Sequence, residues 1–253
     1  MANISNKAQQ MPASAIRKLV PFADAAKKEG VKVYHLNLGQ PDIKSPECAL
    51  DAIRNYSAVN ISYSHSGGLM ELRKGLVEKY YRKIGIDINV DELIVTVAGS
   101  ESVNLALEIA CDPGDEVLVL EPFYTNYNTF AFMNKLTLKA IATDIRNGFQ
   151  IPPIEEFEKA ITPKTKAILI CNPGNPTGTQ YSKESMLALG EIARKHDLFL
   201  LSDEVYREFC YTDEPHFSAM NIPGLEQNVI LIDSVSKRYN LCGARIGCIV
   251  SHN

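Results

Sequence analysis

Residues 166–206, KAILICNPGNPTGTQYSKESMLALGEIARKHDLFLLSDEVY, contain one complete structural unit. The run 166–170, KAILI, has the continuous apolar character of a strand buried on both faces. Crowded Asn, Pro and Gly residues then force a shaped loop. Next, 182–196 opens with Ser182, a good helix-capping residue, and sets Met186, Leu187, Leu189, Ile192 and Ala193 on one broad face. A second apolar run, LFLLS at 198–202, completes a strand-helix-strand order, which feeds a parallel sheet.

The same alternation runs outward from Pro113. Strands are expected at 92–97, 116–120, 136–141, 166–170, 198–202, 229–233 and 246–250. Helices are expected at 12–29, 46–58, 69–83, 101–110, 153–161 and 182–196, with Pro152-Pro153 opening the fifth as helix N-termini prefer. The expected class is α/β, three layers around a mostly parallel seven-stranded sheet. Strand 246–250, IGCIV, is followed only by Ser-His-Asn, so the chain is expected to stop within a fold.

Bulk properties exclude classes rather than name one. With 253 residues, 45% apolar and 22% charged, the chain has ordinary globular composition. A formal net charge of −4 without a Lys/Arg cluster argues against nucleic acid as a partner. No apolar run approaches the roughly 20 residues of a membrane span, and MANISNKAQQ lacks the apolar core of a signal peptide, so a cytoplasmic protein without a membrane partner is expected. The six cysteines form no C-x-x-C pair and the five histidines are dispersed; reduced core cysteines and no metal are expected.

Four segments carry chemistry. In VILIDSVSKRYNLCGARIG, 229–247, a buried strand runs into Ser-x-Ser-Lys, with an arginine eight residues past the lysine. A lysine in such surroundings can form a Schiff base with a carbonyl cofactor, and Ser234 and Arg245 suit a phosphate; the bland reading is a surface lysine after a strand. In FLLSDEVY, 199–206, Asp203 stands at a strand's carboxyl end, where α/β sheets bind ligands, and could pair with a protonated pyridine nitrogen. Tyr206 could reach that ring's phenolic oxygen, while the bland reading of Asp203 is a turn or cap residue. In ICNPGNPTG, 170–178, Asn175 can donate to the same oxygen. In VTVAGSESV, 95–103, backbone N–H groups of Gly99, Ser100 and Glu101 at a helix start could cradle a phosphate.

Together, GSES, NPGNPTG, SDEVY and SVSKRYNLCGARIG resemble the class I and II aminotransferases of fold type I, in the family's order, from about Met11 to Asn253. The resemblance implies pyridoxal 5′-phosphate as cofactor, a large domain of the pyridoxal-phosphate transferase type at 46–253, and an arm with part of a small domain at 1–45. It implies that Lys237 holds the cofactor and moves the substrate's α-proton, and that Asp203 and Tyr206 act beside it. Asn175, Ser234, Ser236, Arg245, Gly99, Ser100 and Glu101 would bind the cofactor, with Tyr124 stacked on its ring. Gly39 and Asn175 would lie near the substrate. Tyr63 would reach the phosphate of a neighbouring subunit, which requires a homodimer. Family members are longer than this chain, and the part beyond Asn253 would hold most of the small domain and the arginine that pairs with the substrate carboxylate.

Three readings follow from the resemblance. The first is a transaminase acting between an L-amino acid, aspartate-like or similar, and a 2-oxo acid. Another is a carbon–sulfur β-lyase or decarboxylase using the same residues. The last, which the abrupt end supports, is an inactive fragment that folds and binds cofactor.

Overall fold

A computed structural model of the chain describes residues 2–12, 14, 16–37 and 39–253. Seven strands form where apolar runs were expected: β1 (Leu93–Thr96), β2 (Glu116–Glu121), β3 (Thr137–Ala142), β4 (Thr165–Cys171), β5 (Phe199–Asp203), β6 (Val229–Ser234) and β7 (Gly247–Val250). They build one sheet in the order β1-β7-β6-β5-β4-β2-β3. From β3 across to β6 all neighbours are parallel, and β7 runs antiparallel to β6 and β1. The successor of β2 lies on one side of it and the successor of β4 on the other. This reversal opens a crevice at the carboxyl ends of the strands, where ligands bind in such sheets.

Alternation along each strand supplies two cores. Leu118, Ile168, Leu200 and Leu231 face one layer, with α4 (Met70–Lys79), α7 (Ile154–Ala160) and α8 (Lys183–Lys195) packed over it. Val117, Leu169, Leu201 and Ile230 face the other, covered by α5 (Ala98–Ala110) and α6 (Asn126–Met133). The remaining helices are α1 (Asn6–Gln9), α2 (Val20–Lys28), α3 (Glu47–Arg54) and α9 (Val235–Arg238).

Helix ends moved for local reasons. The helix expected at 12–29 is a 3-10 turn at Arg17–Leu19 running into α2, with Pro21 in its first turn; Ala13 and Ala15 lie outside the described residues. Expected helix 46–58 stops at Arg54, and expected helix 69–83 yields after Lys79 to a 3-10 turn closed by left-handed Gly85. Helix α5 starts at Ala98 rather than 101, so Gly99, Ser100 and Glu101 belong to its first turn. Helix α6 was not expected, because Asn and Thr are indifferent helix formers; it forms where Tyr127 and Ala131, one turn apart, are buried against α5 and β3. The cysteines need a correction too. Only Cys171 and Cys248 are buried, and Cys48 is exposed.

Before Gly67 no described residue is buried. Leu36, Val59, Ile61 and Tyr63 are almost fully exposed although apolar or aromatic. No helix among the described residues is long and apolar enough to cross a membrane.

Candidate active site

A cavity of about 550 Å³ opens at the carboxyl edge of the sheet. Its wall includes Gly39, Gly99, Ser100, Tyr124, Asn175, Asp203, Tyr206, Ser234, Ser236, Lys237 and Arg245, so residues from six separated stretches converge there. Glu101 and Tyr63 are not in that wall. The Glu101 carboxylate accepts from the Val97 backbone N–H at the start of α5, and Tyr63 is fully exposed.

The floor is built at the ends of β5 and β6. Asp203 is buried; its Oδ2 accepts from the Tyr127 hydroxyl at 2.8 Å, and its Oδ1 from the Val205 N–H at 3.3 Å. Burial pushes its carboxyl up to about 6, against the pull of those two hydrogen bonds, and the nearby Asp233 and Glu204 charges push the same way as burial. Tyr206 places its hydroxyl 3.5 Å from Asn175 Nδ2, and burial raises its ionisation above the ordinary phenol range. Tyr124 takes a hydrogen bond from Asn126 at 2.7 Å and packs edge-on against Tyr127, with ring centres 5.5 Å apart.

The far wall suits an anion. Helix α5 points its first turn, with Gly99 and Ser100, into the cavity, and free amides at a helix start attract phosphate. Strand β7 passes hard against this turn. A Cβ on Gly247 would lie 2.5 Å from the Ala98 carbonyl carbon, so only glycine fits there. Ser234 caps α9, accepting from Ser236 N at 3.0 Å and donating to Ser236 Oγ at 2.7 Å. Arg245 adopts the left-handed region at φ 55°, is exposed, and among the described residues donates only to Cys242 O, at 3.0 Å. Lys237 donates from Nζ to Gly39 O at 2.7 Å and sits 5.9 Å from the Tyr206 ring centre.

Sequence reasoning missed three residues. Tyr127 holds Asp203, while Asp233 and Arg238 lie behind the lysine. The readable signal was Asp233 itself, a carboxylate closing an apolar strand, which needs a buried cation. Among the described residues no group of three or more His, Cys, Asp or Glu is arranged to hold a metal.

The donor set fits a flat, phosphorylated ring compound with a carbonyl: an anion cradle at one end, a buried carboxylate for a ring nitrogen, hydroxyl and amide donors for a ring oxygen, and an amine between them. Fold and cavity define an α/β protein of that binding class. The chain belongs to the aminotransferase class I and II family, whose profile matches residues 31–253 and whose cofactor is pyridoxal 5′-phosphate. It is 34% identical over 248 residues to the aspartate/prephenate aminotransferase of Thermus thermophilus, covering 98% of this chain and 63% of that protein. The crystal structure of aspartate aminotransferase from Thermotoga maritima superposes with a TM-score of 0.91 at 32% identity, covering 98% of this chain and 66% of that one. An alanine aminotransferase from Pyrococcus furiosus gives a TM-score of 0.86 at 34% identity, with 98% and 63% covered. The chain thus spans less than two-thirds of the length of these relatives.

Proposed function

We propose that the protein of which this chain forms the cofactor-holding part is a transaminase, moving an amino group between an L-amino acid, aspartate-like or similar, and a 2-oxo acid with pyridoxal 5′-phosphate. The observation that carries this reading is the convergence of Lys237, Asp203, Asn175, Tyr206 and Ser234 on one cavity. When bound, the cofactor supplies a cationic ring that accepts electrons from the substrate's α-carbon. Lys237 holds it through the amine and then carries the α-proton. Asp203 keeps the ring nitrogen protonated; Tyr206 and Asn175 bind the ring oxygen, Tyr124 covers the ring face, and Gly39 and Asn175 border the substrate. Gly99, Ser100, Ser234, Ser236 and Arg245 bind the phosphate together with the backbone N–H of Glu101, whose carboxylate meanwhile accepts from Val97 N–H at the helix start.

The working unit is proposed to be a cytoplasmic homodimer. In support, Tyr63 is fully exposed in its own chain and free to reach a neighbour's phosphate, and all six cysteines are unpaired, as a reducing compartment favours. Residues 1–45 are proposed as an arm with part of a small domain and 46–253 as the large domain, whose buried core starts at Gly67 among the described residues.

The test is a visible spectrum of the chain with pyridoxal phosphate, before and after borohydride, with peptide mapping of the reduced product. A yellow adduct on Lys237, lost in Lys237→Ala, is expected; a folded chain that forms none would sink the reading. Product analysis on the full-length protein then separates transamination, which yields a 2-oxo acid and pyridoxamine phosphate, from lyase chemistry.

A further inference from the structure

Lys237 stands in a helix of only four residues. One helical turn fixes several dihedral angles for very few hydrogen bonds and does not hold itself, so other contacts must set where the amine points. At the N-terminal end Ser234 Oγ accepts from Ser236 N at 3.0 Å. At the other end Arg238, the residue after Lys237, takes no part in the cavity wall. It donates from Nη2 to Asp233 Oδ1 and Oδ2 at 2.8 and 2.7 Å. Asp233 directly precedes the cap Ser234, so this pair closes the turn 233–238 into a ring around the lysine.

Asp233 is fixed in its own right, accepting from Ser234 N at 2.7 Å and from the Tyr81 hydroxyl at 2.8 Å. The Arg238 and Asp233 side chains are 5% and 2% exposed. The guanidinium lies 3.7 Å from the centre of the Tyr80 ring, whose hydroxyl donates to Glu208 at 2.6 Å, two residues past Tyr206. Arg238 therefore joins the segment carrying Lys237 to the segment carrying Tyr206.

We propose that Arg238 is a positioning residue. Acting through Asp233, it holds the turn 234–238 so that the Lys237 amine meets a carbonyl in the cavity at a fixed distance; this rests on the reading that Lys237 holds the cofactor. Stability alone does not call for such a pair, since apolar side chains of equal volume often serve as well in a buried place. A guanidinium adds reach: its Nη2 meets both Asp233 oxygens while its central carbon lies over the Tyr80 ring, two places that the single nitrogen of an ammonium cannot fill at once.

The test compares the wild-type chain with Arg238→Lys and with the double variant Asp233→Asn/Arg238→Met, which removes both charges and strands neither. Three quantities are read: the rate at which borohydride-trappable pyridoxal phosphate accumulates on Lys237, the affinity for pyridoxamine 5′-phosphate, and amide hydrogen exchange over 235–240 without cofactor. Pyridoxamine phosphate has the same ring and phosphate but no carbonyl, so it reports the cavity independently of the lysine's attack. Attachment is expected to slow about tenfold, with pyridoxamine phosphate affinity within about twofold, as a small misplacement of a reacting group predicts. Faster exchange is expected in 235–240 and not elsewhere. Wild-type attachment and exchange in both variants would show that the turn holds itself. A parallel loss of pyridoxamine phosphate affinity would reduce the pair to general support of the fold. Either result overturns the proposal. Should the wild-type chain itself trap no cofactor, the proposed function fails, and the exchange rates alone decide whether Arg238 holds the turn.

Discussion

Two groups of charged residues share the carboxyl edge of the sheet, one facing the cavity and one facing the interior beside Tyr80 and Tyr81, and they follow opposite rules. In the cavity, Lys237, Asp203 and Arg245 make no ion pair with any described residue; each has only hydrogen bonds to backbone groups or to a tyrosine hydroxyl. In the interior, Glu204 Oε1 accepts from Ser202, Ser218 and the Ala219 N–H at 2.9–3.0 Å. Its Oε2 lies 2.8 Å from Arg207 Nη2, a contact of charge rather than of an aligned N–H. Asp233 meets Arg238 in the same interior group. Asp203 and Glu204 are adjacent in the chain, yet one is left for a ligand and the other is consumed by its neighbours. Charges left unpaired in a protein are available to a ligand; charges paired inside it hold the framework that aims them.

Four variants of the cofactor-free chain test this contrast through stability. The largest effect belongs to the interior: Arg207→Leu strands Glu204 and should lower the free energy of urea unfolding by about 3–5 kcal/mol. A near-neutral result would erase the distinction between the groups. The second, Asp203→Asn, should act with the opposite sign. The folded-state carboxyl is raised from 3.8 to about 6, so the folded chain holds that proton more tightly, and the associated stability is present in acid and lost as pH rises through about 6. The Asn variant should therefore unfold at a higher free energy than wild type at pH 8, by about 1–3 kcal/mol, and match it near pH 3.5. A lower unfolding free energy than wild type at pH 8 would mean that the ionised carboxylate is satisfied in the fold.

Tyr127→Phe comes third. It removes the hydroxyl that holds Asp203 down, so about 1 kcal/mol of stability should go. The pH at which stability falls should shift upward, and an unchanged pH profile would remove Tyr127 from the site. The smallest effect is expected for Lys237→Ala, within about 0.5 kcal/mol, because its amine loses one bond to Gly39 O and a distant approach to the Tyr206 ring. A large loss there would make the lysine part of the framework.

The sheet was legible because its strands are buried on both faces, and continuous apolar runs such as KAILI and LFLLS have few other uses. Most residues that converge on the cavity were legible as types at or just beyond strand ends. Helix α6 was not, since Asn126 and Thr129 advertise a loop, and only burial of Tyr127 and Ala131 makes that segment helical. Tyr127 escaped notice with it. Arg238 was hidden by standing next to Lys237, where its charge reads as more of the same. The exposure of Cys48 and the position of the Glu101 carboxylate at the helix start were likewise undecidable from residue type.

Taken alone, the sequence determined the alternation of strands and helices, the serine cap of α8, the NPGNPTG loop and the inventory of groups that can bind a phosphorylated ring. These depend on periodicity and on bonds between residues a few positions apart. The tertiary structure decided which of two adjacent carboxylates faces the cavity, which of two nearby cations is spent on Asp233 and which is left for a ligand. Such choices are made by strand order and by side chains distant in the chain: Tyr81 reaching Asp233, Tyr127 reaching Asp203, and β7 pressing Gly247 against the start of α5. No local pattern carries that information, because each of those contacts exists only after the sheet has assembled.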